Sequence, residues 1–141
     1  DRVGTIVARP SKLHGIEIAG EDVPSMIDEL PLFACVATRA VGESVVHDAG
    51  ELRVKESDRI KVIVDNLVTV GAAAEELEDG FRIAGKAGPL RGAIATHADH
   101  RIAMSFGILG ALPGNAITID DPECVAVSFP SFWTELDRVR Q

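Results

Sequence analysis

The chain has 141 residues, 46% of them hydrophobic and 26% charged, with a formal net charge of −8. That length suits one domain or one structural half of a larger enzyme, and no apolar run approaches the roughly 20 residues that span a bilayer, so a soluble protein with no membrane partner is expected. The acidic balance, with a sequence pI near 4.9, argues against reliance on the phosphate backbone of nucleic acid, because that affinity comes from Lys and Arg.

The chain opens on Asp1 with no basic stretch or apolar segment behind it. No secretory signal is therefore expected, and the chain reads as a piece of something longer. "VGTIVAR" (3–9) and "LHGIEIAG" (13–20) are β-like and are expected to pair with each other. In "DELPLFACVATRAVG" Pro31 fits the first turn of a helix, which makes Asp28, Glu29 or Leu30 its N-terminal boundary and Gly42 its stop. "ESVVHDAG" (43–50) reads as a strand. Ile60, Ile63, Val64, Leu67 and Val68 then recur at helical spacing up to Gly71.

"AAEELED", "FRIAG" and "LRGAIATH" read as short strands, with turns at Asp79–Gly80 and Gly88–Pro89. "DHRIAMSFGILGAL" is apolar nearly all round, as a helix buried on most sides should be. The strand "AITIDD" follows, then a terminal helix "PSFWTELDRVR" with Pro130 in its first turn and Phe132, Leu136 and Val139 in line. Cys35 and Cys124 sit in apolar segments without a ligand-spaced partner, so both are expected to be buried thiols in a reducing compartment.

Displaced by 72 residues, Gly42 falls on Gly114, Asp48 on Asp120, Glu51 on Glu123 and Asp65 on Asp137, and the elements around them agree. An internal duplication of a β/α unit is expected, with units roughly 1–70 and 71–141. Alternating strands and helices make the class α/β or α+β.

Ionisable residues gather where three helices should begin: Asp28–Glu29, Lys55–Glu56–Ser57–Asp58–Arg59 and His97–Asp99–His100–Arg101. Acids there are ordinary, since helix N-termini carry free N–H groups and about half a positive charge. Capping or dipole compensation is the simplest role for Asp28, Glu29, Asp58 and Asp99. Bases at these ends need another reason, such as an anionic ligand shared between N–H groups, dipole and cations. His97, Asp99 and His100 lack a distant ligand pair, so no metal is expected.

"MIDELP" (26–31), "ELRVKESDRI" (51–60), "DHRIAMSF" (99–106) and "AVSFPSFW" (126–133), in this order, resemble the C-terminal part of the 5-enolpyruvylshikimate-3-phosphate synthase family. The resemblance covers essentially the whole chain. It implies an inside-out α/β barrel built from βαβαββ repeats, of which this chain would hold about two of the three in one domain, with the N-terminal region absent. The implied activity is transfer of the enolpyruvyl group of phosphoenolpyruvate to the 5-hydroxyl of shikimate 3-phosphate, with loss of phosphate. It belongs to the shikimate pathway of aromatic amino-acid biosynthesis, uses no cofactor, and is expected in the cytoplasm in a protein that is monomeric when complete.

Carried over by motif, Arg59 and Arg101 should grip phosphoenolpyruvate and Lys55 should sit by the shikimate phosphate and reacting hydroxyl. Glu56 should transfer a proton at the methylene carbon, Asp28 should hold and deprotonate the 5-hydroxyl, and His100 should orient or bind phosphate. A cationic pocket on an acidic body would attract both anions locally. Two departures stand out: Val127 occupies a position that is lysine in some members, and Ala98 stands where "GDHR" is common. The enolpyruvyl transferase acting on UDP-N-acetylglucosamine shares fold and donor but lacks the "RVKESDR" pattern. RNA 3′-phosphate cyclase, of related architecture, is disfavoured by the acidic charge. The chain on its own is expected to be a folded, inactive half.

Overall fold

Segment 13–18 runs beside 41–46 in the computed structural model, which describes residues 3–85 and 88–140. Strand β1 (Glu17–Ile18) pairs in parallel with β2 (Gly42–Val46), and Gly15 N–H donates to the Val41 carbonyl at 2.9 Å. A Cβ on Gly15 would lie 2.0 Å from the Glu43 carbonyl oxygen, so this approach requires glycine. Parallel neighbours cannot be joined by a tight turn, and α1 (Asp22–Met26) and α2 (Leu30–Ala37) make the crossover. Pro31 occupies the first turn of α2 behind Glu29, where its missing N–H costs nothing.

A 3-10 helix, Gly50–Val54, leads from β2 to α3 (Arg59–Thr69). Ile60, Ile63, Val64 and Leu67 form the buried stripe of α3, while Val68 is turned outward. Gly71, at φ +96, closes α3 with bonds from Gly71 N–H to the Val68 carbonyl and from Ala72 N–H to the Leu67 carbonyl. The hairpin β3 (Ala73–Leu77) and β4 (Gly80–Gly85) then docks antiparallel on β2, giving sheet order β1-β2-β4-β3. A second parallel unit follows: β5 (Arg91–Ile94), α4 (His100–Ala111) and β6 (Ala116–Ile119). The 3-10 helix Pro122–Val127 and α5 (Phe132–Val139) complete the described chain.

Helices α2, α3 and α4 pack on one another between the two sheets. Leu30, Ala34, Ile60, Ile63, Leu67, Ile102, Phe106 and Leu109 are almost completely buried there, against Val46, Phe81, Ile83 and Ile94 of the strands. Burying each large side chain contributes about 1.5–3 kcal/mol. The helices are inside and the sheets outside, the inside-out α/β arrangement that the sequence led one to expect. The buried Asn66 amide fixes α3 to the end of β5, donating to the Ala95 carbonyl at 2.8 Å and accepting from Ala95 N–H at 2.9 Å.

Several local expectations are corrected. Residues 3–9 form no regular element, and segment 13–18 pairs with β2 rather than with them; Pro10, which has no N–H to donate, stands between the two runs. Helix α2 stops at Ala37, because Thr38 bonds back to the Cys35 carbonyl and Arg39 N–H to that of Val36; Gly42, at φ +92, opens β2 instead. Pro130 lies ahead of α5, whose N-cap is Ser131, and Val139 is exposed. Cys35 is buried as expected, but Cys124 is only partly so. The expected turn at Gly88–Pro89 abuts Lys86 and Ala87, which lie outside the described residues.

Candidate active site

Three segments distant in sequence meet around one guanidinium. Arg59 is the first residue of α3 and its side chain is 1% exposed. Its Nε donates to Asp99 Oδ2 at 2.8 Å and its Nη2 to Asp99 Oδ1 at 3.3 Å. Nη1 donates to Asp28 Oδ1 at 3.1 Å, and Nη2 also donates to Glu56. Asp28 lies just before α2, and Asp99 is the N-cap of α4, accepting from Arg101 N–H at 3.0 Å. Arg101 reaches the same place from the first turn of α4: its Nη2 is 3.6 Å from Asp28 Oδ2 and its Nη1 3.5 Å from Glu29 Oε1.

The capping role expected of four acids is present at two: Asp99 caps α4, and Asp58 caps α3, accepting from Lys61 N–H at 3.1 Å, whereas Glu29 stands at the N-cap of α2 without a side-chain cap bond and Asp28 turns to Arg59. Lys55 is not helical. It sits in extended backbone after the 3-10 helix and pairs with Glu51, so it is not stacked beside Arg59 as helical i,i+4 neighbours would be. Glu51 is the first cause of its raised pKa; burial and the Arg59 charge oppose it, and the Asp28 charge adds to it. His100 is the first residue of α4 and half-buried, with no ring hydrogen bond among the described residues.

Burial favours the neutral form of both buried partners, yet Asp99 is held below the usual carboxylate range by Arg59, Ser57 and the Arg101 N–H. Arg59 is raised despite its burial by Asp99, Glu56 and Asp28. Both stay charged. Removing one member of such a buried pair strands the other, at a cost of about 3–5 kcal/mol.

The pocket is not cationic in the way the sequence suggested. Lys55, Arg59 and Arg101 face Asp28, Glu29, Glu51, Glu56 and Asp99, so the described part of the cluster carries an acidic excess. The cations are offset by the chain's own carboxylates, and an anion can reach Arg59 only where Asp28 or Glu56 yields. Those two side chains are about half exposed and can move; Asp99, fully buried, cannot. A hollow of about 140 Å³ opens beside Asp28 and Arg101 over Leu32, Met104 and Ser105.

Of the residues singled out in the sequence, Asp28, Glu56, Arg59 and Arg101 come together here, while Asp99 had been given only a cap's role. Sequence reasoning also passed over Ser57, whose hydroxyl donates to Asp99 Oδ2 at 2.9 Å. Complete burial of an aspartate leaves no mark in a sequence. Another unforeseen feature is the left-handed pair His97 (φ 53) and Ala98 (φ 59), which turns the chain so that Asp99 enters the core. A glycine at position 98, the alternative noted from the sequence pattern, would adopt that φ freely. Val127 ends its 3-10 helix exposed to solvent.

The profile of EPSP synthase (3-phosphoshikimate 1-carboxyvinyltransferase) matches residues 2–136. A 3-phosphoshikimate 1-carboxyvinyltransferase of Sulfurihydrogenibium sp. (strain YO3AOP1) is 48% identical over 99% of this chain and 33% of its own length. That of Aquifex aeolicus (strain VF5) is 47% identical over 95% of this chain and 31% of its own length. The solved EPSP synthase of Acinetobacter baumannii superposes with a TM-score of 0.83 at 43% identity, over 92% of this chain and 30% of that one. The chain thus spans about a third of the length of the curated relatives it matches.

Proposed function

This chain belongs to the EPSP synthase family, and from that premise we propose that the protein of which it forms part transfers the enolpyruvyl group of phosphoenolpyruvate to the 5-hydroxyl of shikimate 3-phosphate. Asp28 takes the hydroxyl proton as the oxygen bonds to C2 of the donor, and Glu56 gives a proton to C3, so a tetrahedral intermediate forms. In the second half a proton leaves C3, the C2–O bond to phosphate breaks, and 5-enolpyruvylshikimate 3-phosphate and inorganic phosphate result. Arg59 and Arg101 hold the donor's carboxylate and phosphate oxygens, for which a planar fork suits better than an ammonium. Lys55 serves the acceptor's phosphate ester and hydroxyl, and His100 orients phosphate. Proton roles within a cluster this tightly coupled belong partly to the group.

The observation that supports this reading is the meeting of Arg59 and Arg101 on Asp28, with Glu56 on the same guanidinium. The acidic excess of the described cluster supports its second half: two anionic substrates need further cations, supplied from outside this third of the protein. A cytoplasmic, monomeric whole protein goes with the reading. The test is phosphate release from both substrates. Turnover by the full-length protein and none by the isolated chain is expected; an inactive full-length protein overturns the activity, and an active isolated chain overturns the incompleteness.

The motifs resemble the family's C-terminal part, and we infer that this third lies there and holds two of three repeats of one domain. Agreement between the two β/α units supports it: Gly42 and Gly114 take φ +92 and +87, and Asp48 and Asp120 each accept a backbone N–H at 2.9 Å, from Gly20 and Thr96. The parent gene's sequence checks the placement, which falls if most of the coding sequence follows Gln141 rather than preceding Asp1.

A further inference from the structure

Arg59 is clamped along one edge and exchangeable along the other. Its Nε and Nη2 meet both oxygens of Asp99, side-on, where neither side chain is more than 1% exposed. Its outer end faces Asp28 and Glu56, whose side chains are 45% and 49% exposed. A guanidinium is planar, so fixing the Nε edge fixes the direction in which the outer edge donates. The same carboxylate accepts the Arg101 backbone N–H at 3.0 Å and the Ser57 hydroxyl at 2.9 Å. One buried group therefore joins α3, α4 and the segment that carries Lys55 and Glu56.

We propose that Asp99 is the positioning residue of the donor site: without touching substrate, it aims the outer edge of Arg59, and through the first turn of α4 it places Arg101. The inference rests on the function proposed above and adds a residue to it. A buried ion pair kept only for stability is a poor bargain against apolar packing of the same volume. Here the pair faces the acids that the proposed chemistry uses. Its charge state is steady, since each partner holds the other ionised against burial.

The test is steady-state kinetics on the full-length protein carrying Asp99→Asn, Arg59→Gln and both changes. Misplacement by about an ångström costs on the order of 10²-fold in rate, so Asp99→Asn is expected to raise the donor KM at least about tenfold, with the acceptor KM moved less than about threefold. Asparagine still caps α4 and so keeps Arg101 in place; if Asp99 acts on the donor through Arg59, adding Asp99→Asn to Arg59→Gln therefore costs less than about a further threefold, because coupled residues are not additive. Equal changes in both KM values, or effects that multiply, overturn the proposal. Should Asp99→Asn not fold, Ser57→Ala decides: it keeps both charges and removes one bond to Asp99, so a donor-selective rise of about two- to fivefold is expected, and an unmoved donor KM overturns the role. An inactive wild type overturns the functional reading and this role together; an active wild type with multiplying variants overturns this role alone.

Discussion

Nη1 of Arg53 sits between the two oxygens of the Asp58 carboxylate, 3.2 and 2.9 Å away. The same Nη1 also pairs with Glu76, while Nη2 and Nε donate to the carbonyls of Leu77 and Glu78 at 2.8 and 2.9 Å. This side chain straps the segment carrying Lys55 and Glu56 to the end of β3. Arg53→Lys, whose single ammonium cannot serve partners in several directions, is expected to destabilise the chain by about 1 kcal/mol, a modest value because the pair is partly solvated. Urea unfolding measures the loss, and faster amide exchange at residues 55–58 localises it. Unchanged exchange there would mean that the segment holds itself.

Glu56→Gln in the full-length protein removes a proton donor while keeping the side chain's shape. If Glu56 transfers a proton in the transition state, kcat falls by about 10² or more with the donor KM little changed. An unaltered kcat would assign Glu56 to the balance of charge around Arg59 and nothing more.

Arg101 makes longer contacts than Arg59, 3.4–3.6 Å to Asp28 and Glu29, and is a third exposed, so its fork is less committed within the chain. Arg101→Lys should weaken donor binding by about tenfold, since an ammonium offers no parallel pair of donors to a carboxylate or phosphate. Calorimetric titration of the full-length protein with phosphoenolpyruvate in the presence of shikimate 3-phosphate measures it. Affinity equal to wild type would leave the fork unused.

The buried pair also sets an acid limit. Asp99 has its pKa lowered in the folded chain, so its contribution to stability is fully present above the ordinary carboxylate value and is lost as pH falls through the lowered one. Arg59 stays protonated throughout. Stability is expected to decline below about pH 4, and Asp99→Asn should flatten that limb while lowering stability at neutral pH. Parallel acid limbs in the two proteins would transfer the effect to other carboxylates, such as Asp120, which is also lowered although burial opposes it.

How much of this was legible in the sequence varied with the range of the interaction responsible. The stripe Ile60, Ile63, Leu67 and the capping residues Asp58 and Asp99 are local signals, and α3 and α4 start where those signals put them. The pairing of 13–18 with β2 was missed because it is decided by a crossover of two helices, not by the neighbouring run 3–9. The motif residues Asp28, Glu56, Arg59 and Arg101 were visible as charges at helix starts. Their partners were not: burial of Asp99 and the pairing of Lys55 with Glu51 arise only when three segments pack.

Ala98 carries a strain that a glycine would relieve. At φ +59, directly after His97 at φ +53, its Cβ crowds the backbone, and the pair is held there because Asp99 must enter the core to cap α4 and meet Arg59. Ala98→Gly loses little burial, since Ala98 is exposed, and it removes the Cβ clash while making the unfolded chain freer. These effects oppose each other: relief of about 1–2 kcal/mol against an entropic cost of about 0.4–1 kcal/mol. A net gain of about 0.5–1 kcal/mol is expected, seen as a higher urea midpoint at unchanged slope. Because the backbone is already in the conformation glycine prefers, the geometry at Asp99 should not move, and kcat and both KM values of the full-length protein should stay within about twofold. A lower midpoint would show that His97 and Ala98 relax out of the left-handed region in solution, and with them the cap that brings Asp99 to Arg59.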